Sequence, residues 1–143
     1  MDAKRQSFVS ALLVGAERES RLLLHEIFRN AGWHLFQAPG RKRALLYLER
    51  RPVQVVIADG DLAVWPWKQV WRDLQCLPRP PQLVVTSRLC DEALWSEVLN
   101  WGGYDVLAEP FRRDEVERVI AAARRHFEGS PAPALSGRAA AAS

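Results

Sequence analysis

Short, nearly continuous apolar runs alternate along this chain with longer stretches whose apolar residues recur at helical spacing. The clearest run is 52–61, where Val53, Val55, Val56 and Ile57 are β-branched and the end is marked by Asp59 and Asp61 around Gly60. A run of this kind, bounded by turn residues, suits a strand buried on both faces, as in a parallel sheet. Similar runs predict strands at 8–14, 33–38, 82–86 and 104–108. Between the first two, Leu24, Ile27, Phe28 and Ala31 repeat at i, i+3, i+4 and i+7, which predicts an amphipathic helix over 18–31. Gly32 follows where a helix C-terminus favours glycine. The pattern predicts further helices at 41–49 and at about 67–75. A fourth carries Leu94, Trp95, Val98 and Leu99, with Asp91 as its N-cap. A last one buries Val116, Val119, Ile120, Ala123 and Phe127, with Asp114 and Glu117 as a D-x-x-E variant of the capping box.

Five strands alternating with five helices imply an α/β domain: a doubly wound, five-stranded parallel sheet covered on both faces. Right-handed crossovers leave few topologies, and the order 2-1-3-4-5 is the common one at this size. Residues 1–128 form that domain. Residues 129–143 are Ala, Ser, Pro and Gly with few others and one charge, a composition expected to stay disordered. In open sheets of this class, chemistry sits at the carboxyl ends of the strands, which makes Asp59 the first candidate.

Composition narrows the class without naming a function. The chain is 48% apolar and 26% charged, ordinary for a soluble globular domain. Its formal charge of +3 is too weak alone to indicate nucleic acid, although 17 of its 20 basic residues are arginine. The clusters Arg41-Lys42-Arg43, Arg50-Arg51, Arg112-Arg113 and Arg124-Arg125 read first as a solvated face, with a nucleic-acid site as the alternative. Cys76 and Cys90 lack C-x-x-C spacing, and His25, His34 and His126 fall on separate elements, so neither a zinc site nor a catalytic triad is expected. No G-x-G-x-x-G or Walker lysine occurs. No run approaches the ~18 apolar residues of a membrane span, and the apolar stretch after Lys4-Arg5 is too short for a convincing signal peptide. A cytoplasmic protein is expected. Trp33 and Trp71 suit the edge of a core, whereas Trp65, Trp67, Trp95 and Trp101 are hard to bury together in a domain this small.

Four segments carry a resemblance to a known family. Leu12-Leu13-Val14-Gly15-Ala16-Glu17 stands where that family has a strand ending in acidic residues, and Val55-Val56-Ile57-Ala58-Asp59 where it has the phosphoacceptor strand. Leu83-Val84-Val85-Thr86-Ser87 matches the strand ending in a switch hydroxyl. Residues 102–111, Gly-Gly-Tyr-Asp-Val-Leu-Ala-Glu-Pro-Phe, are similar to the signature G-A-x-D-Y-L-x-K-P-F. From about Ser7 to Phe127 the chain thus resembles the receiver domain of bacterial response regulators, the CheY-like form of the flavodoxin-like fold.

The resemblance implies phosphoryl transfer from a histidine kinase to Asp59, with Mg²⁺ held by acidic side chains and a backbone carbonyl. Mg²⁺ demands hard oxygen ligands in near-octahedral geometry. Here the set is broken. Gly15 and Ala16 replace the acidic pair, Glu109 replaces the lysine before Pro110, and Val106 replaces the aromatic switch residue, while Asp59 and Thr86 remain. A metal at a phosphoryl oxygen contributes several kcal/mol. Since each ~1.4 kcal/mol is tenfold in rate, losing it and reversing the lysine charge predicts a loss beyond roughly 10⁴-fold.

The expected function is therefore that of a degenerate receiver: a non-enzymatic interaction module of two-component-type signalling, with Asp59 a vestigial phosphoacceptor and Gly15, Ala16, Glu17 and Asp61 a vestigial acidic pocket. Asp59 can equally be a strand-end carboxylate satisfied by backbone N–H groups. No cofactor or metal is expected unless Glu17, Asp59 and Asp61 rebuild a Mg²⁺ site, which is the alternative reading. A nucleic-acid-binding protein is a third. The expected partner is a protein, such as a histidine kinase, another regulator or a second copy in a homodimer. Trp65 and Trp95 are the expected surface anchors for it. By resemblance, Glu109-Pro110 is expected to be cis.

Overall fold

A computed structural model of the chain describes residues 8–89 and 91–130. It has β1 (Ser10–Val14), α1 (Arg18–Ala31), β2 (His34–Gln37), α2 (Arg41–Arg50), β3 (Val55–Asp59), α3 (Trp67–Gln75), β4 (Gln82–Ser87), α4 (Glu92–Trp101), β5 (Asp105–Ala108) and α5 (Arg113–Glu128). The sheet is parallel throughout and ordered β2-β1-β3-β4-β5, the expected doubly wound arrangement. The part of the expected tail from 131 to 143 lies outside the described residues, as does Cys90; Cys76 is exposed.

The central strands are apolar through their middles on both faces because the sheet is covered twice. Ala11, Leu13, Val55, Ile57, Val84 and Leu107 point to the α1–α5 side, where Leu24, Phe28, Val116 and Ile120 meet them. Leu12, Val14, Val56, Ala58, Val85 and Val106 point the other way, onto Ala44, Val70, Leu74 and Val98 of α2, α3 and α4. Alternate residues of one strand thus serve two cores, as the period of two requires. Truncating a fully buried residue such as Ile57 to Ala would cost about 2–5 kcal/mol.

Helix ends follow their local chemistry. α1 stops at Gly32 with φ +75, and the Gly32 N–H bonds back to Arg29. α2 stops at Arg50 because Pro52 disfavours the helical region for the residue before it. Asp91 caps α4, accepting from the Leu94 N–H at 2.8 Å as expected. α4 ends at Gly102, φ +106, where an added Cβ would lie 2.6 Å from the Trp71 ring; that ring is the reason only glycine fits. At α5 the expected capping box is corrected. The N-cap is Arg112, so Asp114 falls inside the first turn and accepts from the Glu115 N–H instead. Its charge still complements the helix dipole there.

Candidate functional site at the carboxyl end of the sheet

The register brings the expected site residues to one edge. Val14 pairs with Ala58, Asp59 with Thr86, and Ser87 with Ala108, so the loops carrying Gly15, Gly60 and Glu109 leave the sheet side by side. Thr86 is 1% exposed and Val106 5%, both buried within their strands. Gly60 donates its N–H to the Thr86 carbonyl at 2.8 Å. A Cβ there would sit 2.8 Å from that oxygen, so the close approach of the two strand ends selects glycine.

Asp59 is half-buried, and its Oδ1 accepts from the backbone N–H of Asp61 at 2.9 Å. One carboxylate oxygen is thus committed to the chain's own turn. Asp61 is exposed. At the end of β1, Gly15 has φ +80 and Ala16 φ +86, two successive left-handed residues. For Ala16 that conformation costs roughly 1–2 kcal/mol. A Cβ on Gly15 would lie 3.1 Å from both Asp59 Cβ and Leu62 Cδ2. Leu62 therefore occupies the space beside Asp59 that a residue-15 side chain would enter. No sequence signal marked it: it is a single apolar residue in an aperiodic loop.

The neighbouring acids are engaged elsewhere. Glu17 is exposed and pairs with Arg88, which follows β4. Glu109 Oε1 accepts from the Ser20 hydroxyl at 2.5 Å, linking the β5–α5 loop to the first turn of α1. The Glu109-Pro110 bond is cis, as the resemblance implied. Between these groups lies an open depression of about 350 Å³, lined by Glu17, Ser20, Leu23, Arg88, Glu109 and Phe111.

A divalent cation is a poor match to this donor set. Gly15 and Ala16 provide no side-chain oxygen, Glu17 is turned to Arg88, and Leu62 stands beside Asp59. Among the described residues no group of three or more His, Cys, Asp or Glu side chains gathers closely enough to hold a metal.

The tryptophans sort differently from expectation. Trp65 was expected on the surface and is instead 3% exposed. Its ring belongs to the core under α2, α3 and α4, and its Nε1 donates to Asp73 Oδ2 at 2.9 Å. Burial is possible because Asp73 satisfies the one polar atom of the indole. Trp67 is also buried and meets the half-buried Trp101 edge-on at 5.7 Å. Trp33 and Trp71 pack against the cores as expected. Trp95 is 46% exposed, with Nε1 donating to Asp105 Oδ1 at 3.2 Å. Leu94 and Val98 face the sheet, so Trp95 and Leu99 form the outward stripe of α4.

Asp73 is the site residue that sequence reasoning missed. It accepts from Arg41 Nε and Nη2 at 2.7 and 3.1 Å, from Trp65 and from Gln69 Nε2 at 3.1 Å. The Arg41 guanidinium, aided by Trp65 and Gln69, holds its carboxyl below the usual range against the opposing effect of burial. It fastens the loop after Asp59 to α3 and to the start of α2.

Comparison with known proteins adds the last observations. No family profile matches the chain, and no curated protein sequence does. Solved structures match in shape. Full-length FixJ from B. japonicum superposes with a TM-score of 0.75 at 18% identity over 85% of this chain, which spans 60% of FixJ. The receiver domain of Francisella response regulator 1452 gives 0.70 at 18% identity, covering 82% of this chain and 98% of that one. A receiver domain of a Pseudomonas aeruginosa sensor histidine kinase, whose structure has a magnesium ion coordinated in the active-site cleft, gives 0.69 at 19% identity over 82% and 98%. With its strand order, its aligned strand-end site and these superpositions, the chain has the CheY-like fold of response-regulator receiver domains.

Proposed function

We propose that this chain is a receiver-type module of two-component signalling that works through protein contact, without normal Mg²⁺-dependent phosphotransfer and without enzymatic activity of its own. One observation carries the reading: the end of β1 presents the left-handed pair Gly15-Ala16 with Leu62 packed beside Asp59, where phosphotransfer chemistry needs a metal seat. Glu109, bonded to Ser20, supports it by placing a carboxylate where the family has a cation for the phosphoryl oxygens. Protein partners are the natural readout, since a neighbour of the same fold was solved with a histidine phosphotransfer protein and another as a dimer. The contact we assign on this chain is the α4 face bearing Trp95 and Leu99. An exposed tryptophan anchor typically carries about 2 kcal/mol or more of binding energy when truncated.

A second reading keeps phosphorylation, and the half-exposed Asp59 beside Thr86 favours it. It requires Glu17 to leave Arg88 and join Asp59 around the ion. Incubation with acetyl phosphate and Mg²⁺ followed by intact-mass measurement separates the two. The expected result is an unchanged mass; a stoichiometric phosphate lost in Asp59→Asn would overturn the proposal.

A further inference from the structure

The strongest unexplained feature lies away from the strand-end site, on α2. Residues 41–51 hold five cations, Arg41, Lys42, Arg43, Arg50 and Arg51, against one acid, Glu49. Arg41 is neutralised by Asp73. The side chains of Lys42, Arg43 and Arg50 make no ion pair or hydrogen bond with any described residue. Arg43, Arg50 and Arg51 surround a surface depression of about 260 Å³ together with Leu46 and Tyr47. Leu46 is 47% exposed, an apolar side chain set among guanidinium groups.

Tyr47 lines the depression while its hydroxyl is closed off from solvent, so the arginines and Leu46 are the groups a partner meets.

We propose that the outer face of α2 docks an acidic protein segment, with a carboxylate held by Arg43, Arg50 and Arg51, beside an apolar side chain resting on Leu46. The charge sets the sign of the partner, and arginine suits bidentate carboxylate recognition. Other anionic partners fit less well. A single-stranded nucleic acid needs open rings for base stacking. The Tyr47 ring already contacts Phe36 at 4.9 Å and Arg51 at 5.5 Å. A membrane surface needs a broad exposed apolar face, whereas α2 buries Ala44 and Leu48 against the sheet. This site lies on a different element from the Trp95 face and does not depend on whether Asp59 is phosphorylated.

The test uses the full chain and a fluorescein-labelled peptide of repeating Glu-Glu-Leu units, read by fluorescence anisotropy. An oligothymidylate and phosphatidylserine vesicles serve as competitors. The peptide should bind, more weakly as salt rises, and outcompete both at equal charge concentration. Arg43→Glu with Arg50→Glu should abolish binding. Leu46→Ser, which keeps every charge and alters an exposed position, should weaken it about fivefold through lost apolar contact. Arg112→Glu with Arg118→Glu makes the same charge change at α5 and should leave binding within about twofold, as expected of distant independent sites. Circular dichroism accompanies every variant, and Leu46→Ser decides the matter if the double reversal fails to fold. Absence of binding, equal loss in the α5 control, a Leu46→Ser affinity equal to the parent's, or preference for oligothymidylate or vesicles would each overturn the proposal.

Discussion

The indole N–H of Trp65 donates to the carboxylate of Asp73 at 2.9 Å, so the loop after the strand-end aspartate is fastened to the helix that follows it. The same carboxylate accepts two bonds from Arg41. Loop, α3 and the start of α2 are thereby joined at one anion.

Trp65 and Trp95 should respond oppositely to truncation. Trp65→Ala empties a core position and should cost about 3–5 kcal/mol, as large aromatic deletions do. Trp95→Ala removes a half-exposed ring and its bond to Asp105 and should cost no more than about 1.5 kcal/mol in urea unfolding. Equal destabilisation would contradict the placement of the two rings.

Acid should release the Asp73 junction. Its folded carboxyl pKa is lowered, chiefly by Arg41. The stabilisation is present above the unfolded value, near 3.9, and is lost as pH falls through the folded value. Urea midpoints taken downward from neutral pH should fall steeply in acid for the parent and less steeply for Asp73→Asn. At neutral pH that variant should already be weakened by about 1–3 kcal/mol through poorer bonding to Arg41 and Trp65. Parallel pH profiles would remove Asp73 from this role.

Ala16→Gly should raise stability. Relief of the left-handed alanine is worth roughly 1–2 kcal/mol, and the added freedom of the unfolded chain costs about 0.4–1 kcal/mol. A net gain between zero and about 1.6 kcal/mol is expected from thermal or urea unfolding; a loss would show that the strain is absent.

Gly15→Asp should destabilise the fold and create no Mg²⁺ response in tryptophan fluorescence. The new side chain would need φ +80 and would press on Asp59 Cβ and Leu62 Cδ2. Left-handed strain adds to this, less for Asp than for most other side chains. Leu62→Ala should cost less in the Gly15→Asp background than in the parent, because one of the two clashes goes with it. Equal costs in the two backgrounds would show that Leu62 does not crowd this space.

The order of strands and helices was legible because both faces of the sheet are buried, which made each central strand an uninterrupted apolar word. Asp91 and Gly32 announced their caps by residue type alone. Trp65 was misjudged because nothing in the sequence says that an acid eight residues later, on the next helix, turns back to satisfy an indole in the loop. The start of α5 was misplaced because Arg112 takes the N-cap and leaves Asp114 inside the first turn. At the site, the missing carboxylates at 15 and 16 could be read directly. The filling of their space could not, since Leu62 lies in an aperiodic loop and its position depends on the left-handed path of Gly15 and Ala16.

The packing of Leu62 against Gly15 ties the two positions together. A side chain placed at position 15 meets a left-handed backbone and the Leu62 methyl before it gains any contact of its own. Changing Glu109 breaks its bond to Ser20. Either change made alone loses stability before it adds a ligand, so building a Mg²⁺ seat into this strand end would take several coordinated substitutions.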